Sequence, residues 1–570
     1  MSFLSKYLDE PKIAYFSMEI GLKDDIPTYS GGLGILAGDT IKSAADLNLP
    51  FIAVTLMHRK GYFTQDFDET GYQLSRDVVW DPARYMTMAP AKVSIKLEGR
   101  TIYVAAWTYI VESLRGGSLP VFFLDTDLPE NSPEDRELTH HLYGGDTVYR
   151  IKQEAILGIA GVRMLKELGF TVKKYHMNEG HASFLTLELL HERKKDIESV
   201  WDESLIWDFD SVKEICVFTT HTPVEAGHDK FTYDVYHRVL GDYFPEKVIR
   251  WLAGDDNLNM TLLALNLSNY VNGVAKKHGE VSQNMFPGYR INAITNGVHS
   301  YTWTNEHFKR LYDKYIPGWA NEPEIFVRVE TVPDEAIWNA HQDAKKDLIN
   351  YVNNNCDTDM DVNTLTIGFA RRFATYKRAN LLFTDIERLV KVAGGRVQFV
   401  FAGKAHPKDE GGKKLIQNIF GFAKDLKGKL KMAFIKNYKM DIGLMLSTGV
   451  DVWLNNPLRP LEASGTSGMK STHNGVPNFS VLDGWWIEGH IEGYTGWSIG
   501  PAPTEIEPDE SMNRIDAEDL YHKLEKIIIP TYYNDRKKWI FIMKNTIGKN
   551  AYYFNTHRMM RRYVTEAYIR

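Results

Sequence analysis

A chain of 570 residues, 44% hydrophobic and 25% charged, has an ordinary globular composition and the length for about three or four domains, or two large ones. Its net charge of −7 gives no reason for a nucleic-acid partner. Two cysteines (Cys216, Cys356) cannot build a disulfide framework, and no apolar run approaches the roughly 20 residues that span a bilayer. The N-terminal MSFLSKYLDEPKIAYF lacks the order of a signal peptide, so a cytoplasmic protein is expected.

Strand-like and helix-like segments alternate along the chain. Residues 13–19 read as a short strand. A glycine turn at Gly31, Gly32 and Gly34 precedes a helix with Leu36, Thr40, Ala44 and Leu47 on one face. Residues 51–56 are continuously apolar, as a buried parallel strand is, and 150–168 read as helix. From 364 the rhythm is clearer: strand 364–369, helix 381–392, strand 397–402, helix 413–426, strand 430–435, helix 440–446, strand 450–454. That βαβ order predicts a doubly wound α/β domain. The turn signal TNG at 295–297 marks a boundary between an N-terminal α/β domain, 1–297, and a C-terminal one, 298–570. The last fifty residues read as helical, with room to pack back on the N-terminal domain.

Four stretches could carry chemistry. EASGTSGMK, 462–470, sets a carboxylate, a run of small residues and a lysine within nine positions. Small residues admit a ligand to the backbone, whose N–H groups cradle anions, and the lysine can act as a charge or form a Schiff base. A flexible loop ending in a solvated lysine is the alternative. ARRFATYKR, 370–378, places four cations within eight residues just past a strand, which suits phosphate; a solvated helix start is equally compatible. YSGGLGILAGD, 29–39, puts glycines at a helix start, an anion site or an ordinary strand-to-helix turn. TTHTPVEAGH, 219–228, places His221 past a strand, where a satisfied loop histidine is the commoner case. His176 and His181 miss the helical spacing of a zinc pair, and no metal is expected. If the strands ending near 369 and 454 are parallel in one sheet, both cation-bearing motifs emerge on one edge, with the glycine segment facing them.

EASGTSGMK is similar to the pyridoxal-phosphate lysine segment of the α-glucan (glycogen, starch, maltodextrin) phosphorylases. Ordered matches at LYGGD, RIKQE, HMNEGHASF, TTHTPVEAGH, TNG, ARRFATYKR, FAGKAHP and NYKMD extend the resemblance from about 13 to 483. It implies two Rossmann-like domains facing across a cleft (GT-B architecture) and retaining phosphorolysis of the non-reducing-end α-1,4 link to α-glucose 1-phosphate. It also implies pyridoxal 5′-phosphate held as a Schiff base at Lys470, its 5′-phosphate serving as acid and base. On that match Arg372 and Lys377 grip inorganic phosphate. Arg371, Tyr438, Thr466, Ser467 and Gly32 lie against the cofactor. Gly31, Leu33, Asp146, His221, Asn296, Glu462, Ser464 and Gly465 contact substrate, His221 and Glu462 at the reacting sugar. Glucan and phosphate are the implied partners, with a homodimer or higher homo-oligomer by analogy.

The sequence departs from the longer enzymes in three places. TSGMK replaces TGNMK, Thr147 stands where a second amide is usual, and the first strand starts near residue 13. The shorter bacterial and archaeal branch is the nearer match, and nucleotide or phosphorylation control of the long enzymes is not expected. The rivals are a nucleotide-sugar glucan synthase on the same fold, which needs no pyridoxal, and a non-catalytic glucan-binding protein. The joint presence of Arg372, Lys377, Glu462 and Lys470 argues against the second.

Overall fold

Phe51–Leu56 is buried at all six positions, and an element covered on both faces must be apolar throughout. It pairs in parallel with Lys12–Ser17 on one side and Ser118–Asp125 on the other. A computed structural model describes residues 3–197, 202–503 and 511–569, and these three strands form the middle of its larger sheet. From edge to edge that sheet runs Asn292–Ala293, Tyr270–Gly273, Cys216–Thr219, Val172–Asn178, Lys12–Ser17, Phe51–Leu56, Ser118–Asp125, Arg100–Glu112, Thr87–Leu97. The last two pairings are antiparallel, and Thr87–Leu97 mixes buried with exposed positions, as a strand covered on one face does.

The second sheet is parallel throughout and six-stranded: Lys431–Ile435, Val397–Ala402, Leu365–Ala370, Val452–Asn455, Asn478–Val481, Gly496–Ile499. The molecule is therefore α/β, built on two large, mainly parallel sheets. The helix expected at 381–392 is broken into a 3-10 turn, Leu381–Phe383, and a helix, Ile386–Ala393. Asp385 separates them because its side chain accepts from Arg388 N and caps the second piece. Asp409 does the same for Glu410–Asp425, starting that helix earlier than its apolar spacing indicates. The segment 150–168 is helical with a π turn at Ile156–Ala160.

Two glycine readings change. Gly32 and Gly34 lie inside the helix Gly32–Asp46, not in a turn before it. A Cβ on Gly34 would sit 2.6 Å from Glu19 Oε2, and one on Gly38 1.8 Å from Gly21 O, so the glycines permit close packing of the helix on the 19–21 segment. At Gly297 the constraint is again approach: a Cβ would lie 2.3 Å from the Asn555 carbonyl carbon. There the crossing between the halves is bound by the C-terminal segment, with Val298 N donating to Phe554 O and Thr556 N to Val298 O.

The helix Thr556–Tyr563 packs on the N-terminal half. Met559, Met560 and Tyr563 join Ile41, Ala44 and Phe51 in one apolar cluster, and Ser43 Oγ lies 2.6 Å from Thr556 Oγ1. From the other side, the hairpin Thr64–Phe67 and Gln73–Arg76 reaches the second sheet. Phe67 packs on Phe420 and Phe434, and Gln65 Nε2 donates to Gly403 O at 2.8 Å. Between these contacts lies a cluster drawn from both halves: Ile35, Val298, Trp303, Met469, Trp485, Trp486 and Phe554. Truncating a buried tryptophan of this kind costs about 3–5 kcal/mol, so the seam is a fixed part of the fold. Among the described residues no helix is long and apolar enough to cross a membrane.

Candidate active site

Leu365–Ala370 and Val452–Asn455 are neighbouring parallel strands, with Ile367 opposite Val452, so the segments after them leave the same sheet edge. Arg371 follows the first strand. Its guanidinium donates to Asn455 Oδ1 at the end of the second and, at 2.5 Å, to Glu462 Oε2. Lys377 Nζ reaches the same carboxylate oxygen at 2.7 Å. Burial alone would raise the Glu462 carboxyl, but Arg371 and Lys377 overcome it and hold the group down to about 2. The backbone N–H of Glu462 is held at 2.8 Å by Asp483 Oδ2. Asp483 is pushed up to about 7, chiefly by burial and further by the Glu462 charge, against the backbone donors of Glu462 and Gly484.

The four cations of 370–378 thus divide. Arg371 and Lys377 are tied to Glu462. Arg372 is exposed and has no hydrogen-bond or ion-pair partner among the described residues; its charge reaches Tyr62 and His406, whose rings lie 6.0 Å apart across the junction of the halves. Arg378 adopts a left-handed backbone, φ +48°, and turns away. It donates to Asn456 O, Pro457 O, Asn513 Oδ1 and Asp516 Oδ2 and so ties the motif to the loop after the neighbouring strand.

The loop from Glu462 enters the helix Thr466–Thr472 through Gly465, φ +86°, a conformation that favours glycine. Gly468 is needed for approach, since a Cβ there would lie 2.3 Å from Asn478 Oδ1. Ser464 Oγ, Ser467 Oγ and Arg371 Nε are buried without a hydrogen-bond partner among the described residues, and such groups in native proteins need an explanation. Lys470 is buried too. Its Nζ lies 3.7 Å from the centroid of the Trp303 ring and donates to no acceptor among the described residues. Burial pushes this amine down to about 8; Asp39 opposes that shift and Lys42 adds to it. Tyr438 is raised to about 12 by burial against the charge of Arg371 beside it.

From the N-terminal half, Glu19 clamps the glycine segment. Its Oε2 accepts from Ser30 N at 2.6 Å and Gly31 N at 3.2 Å, and its Oε1 from Tyr143 Oη. Gly31 stands at the start of the Gly32–Asp46 helix without a side-chain cap, and a Cβ on Gly31 or Gly32 would meet nothing within 4 Å, so both face open space. Leu33 is half-buried. Asn296 is buried, with its Oδ1 unpartnered among the described residues. His221 has one ring nitrogen on Asn178 Oδ1 at 2.6 Å and its backbone N–H on Glu179, and burial pushes the ring down to about 3, so it is neutral at physiological pH. Asp146 is exposed and caps the helix Thr147–Ala155 by accepting from Tyr149 N.

The histidines of HMNEGHASF have separate tasks: His176 bonds Tyr568 Oη and Thr219 Oγ1, and His181 lies beside Asp229. Glu19, Trp303 and Asp483 belong to the candidate site without a motif that names them; Asp39 closes the 29–39 stretch, where the glycines and not the carboxylate drew the reading.

The residues present fit a group that combines an aldehyde with a phosphate: an amine lacking an acceptor among the described residues, on the same short helix as the orphaned Ser467 hydroxyl, with a further orphaned hydroxyl at Ser464 and an orphaned guanidinium nitrogen at Arg371. A carbohydrate phosphorylase family model matches residues 230–527. The chain is 39% identical to a maltodextrin phosphorylase of Thermococcus litoralis, over 98% of this chain and 70% of that protein. It is 36% identical to a glycogen phosphorylase of Aquifex aeolicus, over 99% and 87%, and 37% identical to one of Mycobacterium tuberculosis, over 98% and 70%.

Proposed function

The chain belongs to the carbohydrate phosphorylase family, and on that premise we propose that it is an α-1,4-glucan phosphorylase, cleaving the non-reducing-end glucose of a glucan or maltodextrin with inorganic phosphate, reversibly and with retention, to α-glucose 1-phosphate. The two mainly parallel sheets, and the meeting of the glycine segment with the Lys470 helix at their junction, support a GT-B arrangement with the site between its halves.

Lys470 holds pyridoxal 5′-phosphate covalently in this reading, with Thr466, Ser467, Arg371, Tyr438 and Gly32 around it. When bound, that cofactor supplies a phosphate whose second pKa near 6 suits proton transfer close to neutrality. Arg372, which has no hydrogen-bond or ion-pair partner among the described residues, is the cation for substrate phosphate, and Lys377 assists it. Two phosphates side by side repel strongly, and the cluster of Arg371, Arg372 and Lys377 offsets that repulsion. Glu462, ionised throughout the physiological range, accepts from sugar hydroxyls and fixes two of the three cations. Asn296 Oδ1 and Ser464 Oγ offer hydrogen bonds to the sugar, with Gly31, Leu33, Gly465 and Asp146 lining its site. His221, being neutral, contacts it as a hydrogen-bonding group and not as a charge.

The observation that carries this assignment is the Glu462 carboxylate held at once by Arg371 and Lys377, which joins the phosphate motif to the loop that leads into the Lys470 helix. The test is glucose 1-phosphate release from a maltooligosaccharide plus phosphate, with borohydride reduction and peptide mapping of the purified protein. Phosphate-dependent product and a pyridoxyl group on Lys470 are expected. Polymer made from a nucleotide sugar, with no pyridoxyl peptide, would replace this reading with a glucan synthase; glucan binding without turnover would leave a binding protein. A homo-oligomer is expected by family analogy, and sedimentation equilibrium tests it.

A further inference from the structure

Arg558 stands on the helix Thr556–Tyr563 near the end of the chain and points its donors at backbone. Its Nη1 donates to Thr295 O at 2.6 Å, its Nη2 to Asn296 O at 2.9 Å, and its Nε to Tyr553 O at 2.7 Å. All three acceptors are carbonyl oxygens and none is a carboxylate. The Tyr553 ring lies beneath the guanidinium, 4.5 Å from centroid to Cζ. Burial pushes this half-buried group down to about 10; Arg562 adds to the shift, and Tyr553, Glu488 and Tyr563 oppose it. It is therefore still a cation at neutral pH.

A cation enclosed without a bonded carboxylate is costly, and an apolar side chain in its place docks a helix at lower cost. Met559, Met560 and Tyr563 already dock this helix. The guanidinium answers a need of the segment it holds. That segment, 295–297, is fixed from several sides. Asn296 N donates to Val274 O at 3.0 Å, Thr295 Oγ1 donates to the Glu488 carboxylate at 2.9 Å, and Gly297 lies against Asn555. The Asn296 side chain, by contrast, is buried and keeps its Oδ1 without a partner among the described residues. A rigid backbone carrying an unsatisfied amide suits a group held ready for a ligand.

We propose that Arg558 is a positioning residue for sugar recognition: from the C-terminal helix it clamps the two carbonyls that flank the Asn296 α-carbon and so aims the Asn296 amide at a hydroxyl of the reacting glucose. The proposal rests on Asn296 being the sugar contact described above. Two donors of one planar fork, placed on successive carbonyls, fix the peptide planes on both sides of Asn296; a lysine, as a single point charge, does not hold both. Through this one side chain the C-terminal helix takes part in selecting the sugar.

The test reads glucan synthesis from α-glucose 1-phosphate and from its 2-, 3-, 4- and 6-deoxy analogues. The kcat/KM of each analogue relative to the parent is measured for wild type, Asn296→Ala, Arg558→Met and Arg558→Lys. Arg562→Met is the control, since it removes a cation of the same helix that pairs with Glu566. Asn296→Ala identifies the analogue whose handicap disappears, because its missing hydroxyl no longer leaves a partner unpaired. Arg558→Met is expected to reduce the handicap of that same analogue by about tenfold and to leave the others as in wild type, with Arg558→Lys in between. Arg562→Met is expected to keep the wild-type pattern. An unchanged pattern in Arg558→Met, or an equal loss with every substrate, overturns the proposal, the second because it marks a merely structural role. Arg558→Lys decides alone if Arg558→Met does not accumulate as folded protein. If Asn296→Ala changes no handicap, Asn296 is not a sugar contact and the proposal falls with it; if wild type makes no glucan from α-glucose 1-phosphate, the phosphorylase reading itself falls.

Discussion

Lys377 Nζ and Glu462 Oε2 lie 2.7 Å apart, on a carboxylate oxygen that Arg371 also holds, and all three side chains are largely buried. A carboxylate therefore occupies two of the three cations that the proposed site offers to phosphate groups, and an anion bound there would share them. Removing one member of a buried ion pair typically costs about 3–5 kcal/mol, because the other charge is left unpaired. Glu462→Gln is expected to lower the melting temperature in phosphate-free buffer, and inorganic phosphate to raise it by more than it raises that of the wild type. The pH dependence has a definite sign. Glu462 is held down to about 2 in the folded state, so its contribution is full above the unfolded carboxyl range near 4 and fades as pH falls towards 2. The stability gap between wild type and Glu462→Gln should narrow across that window, as acid denaturation monitored by circular dichroism would report.

Arg372 and Arg378 are close in sequence and opposite in role. Arg372 is exposed and unpartnered among the described residues, whereas Arg378 is buried on Asp516 and two backbone carbonyls. Arg372→Ala is expected to leave stability within about 0.5 kcal/mol of wild type and to raise KM for phosphate by roughly 10- to 100-fold, the worth of a charge-assisted hydrogen bond to an anion. Arg378→Ala should instead cost about 3 kcal/mol of stability, while the folded fraction keeps its KM for phosphate. Initial-rate kinetics and chemical denaturation of the two variants separate these outcomes.

Burial destabilises the amine of Lys470 as a cation in the folded protein. Its value of about 8 lies below that of an unfolded lysine, so between pH 8 and about 10.5 the unfolded chain binds the proton more strongly and stability rises with pH. Lys470→Met removes that penalty. We expect this variant to retain no pyridoxal phosphate and to show no phosphorolysis, yet to melt higher than wild-type apo-protein at pH 7, by an amount on the order of a few kcal/mol, with the rise between pH 8 and 10.5 gone. Differential scanning calorimetry of the two apo-proteins checks both points.

Asp46 Oδ2 accepts from His299 Nε2 at 2.7 Å and His557 Nε2 at 2.9 Å, joining the Gly32–Asp46 helix, the crossing between the halves and the C-terminal helix at one oxygen. Burial would raise this carboxyl, but the two histidines, with Ser113, hold it well below the usual carboxylate range. Its contribution is therefore present above about pH 4 and lost as pH falls through the folded value. Asp46→Asn is expected to cost about 3 kcal/mol at pH 7. The double variant His299→Ala, His557→Ala should deviate from additivity by about 0.5–3 kcal/mol, as residues sharing one partner do; urea denaturation of the mutant cycle measures the coupling.

Strand positions were legible because a parallel strand covered on both faces must be a continuous apolar run: Val397–Ala402 and Phe51–Leu56 coincide with the stretches read from the sequence. Helix limits were less legible. Asp385 and Asp409 set two of them by capping, which apolar spacing does not register. The expectation that the segments holding Arg371 and Glu462 share an edge followed from βαβ order, and the parallel pairing of their strands is observed.

By itself the sequence determined the alternation of elements, the two cation-bearing motifs and their order along the chain, since these depend on local composition and period. It did not determine which cation meets which carboxylate. Arg371 and Glu462 are 91 positions apart, and Trp303 and Asp39 are 264 apart. Such pairings arise only when sheets and helices pack, because burial makes an unmatched charge costly and so selects the partner within reach. The same packing turned Arg378 away from the cluster, put Gly34 and Gly297 where no side chain fits, and set the Lys470 amine over the Trp303 indole, whose N–H is held by Asp39 from the other half of the molecule.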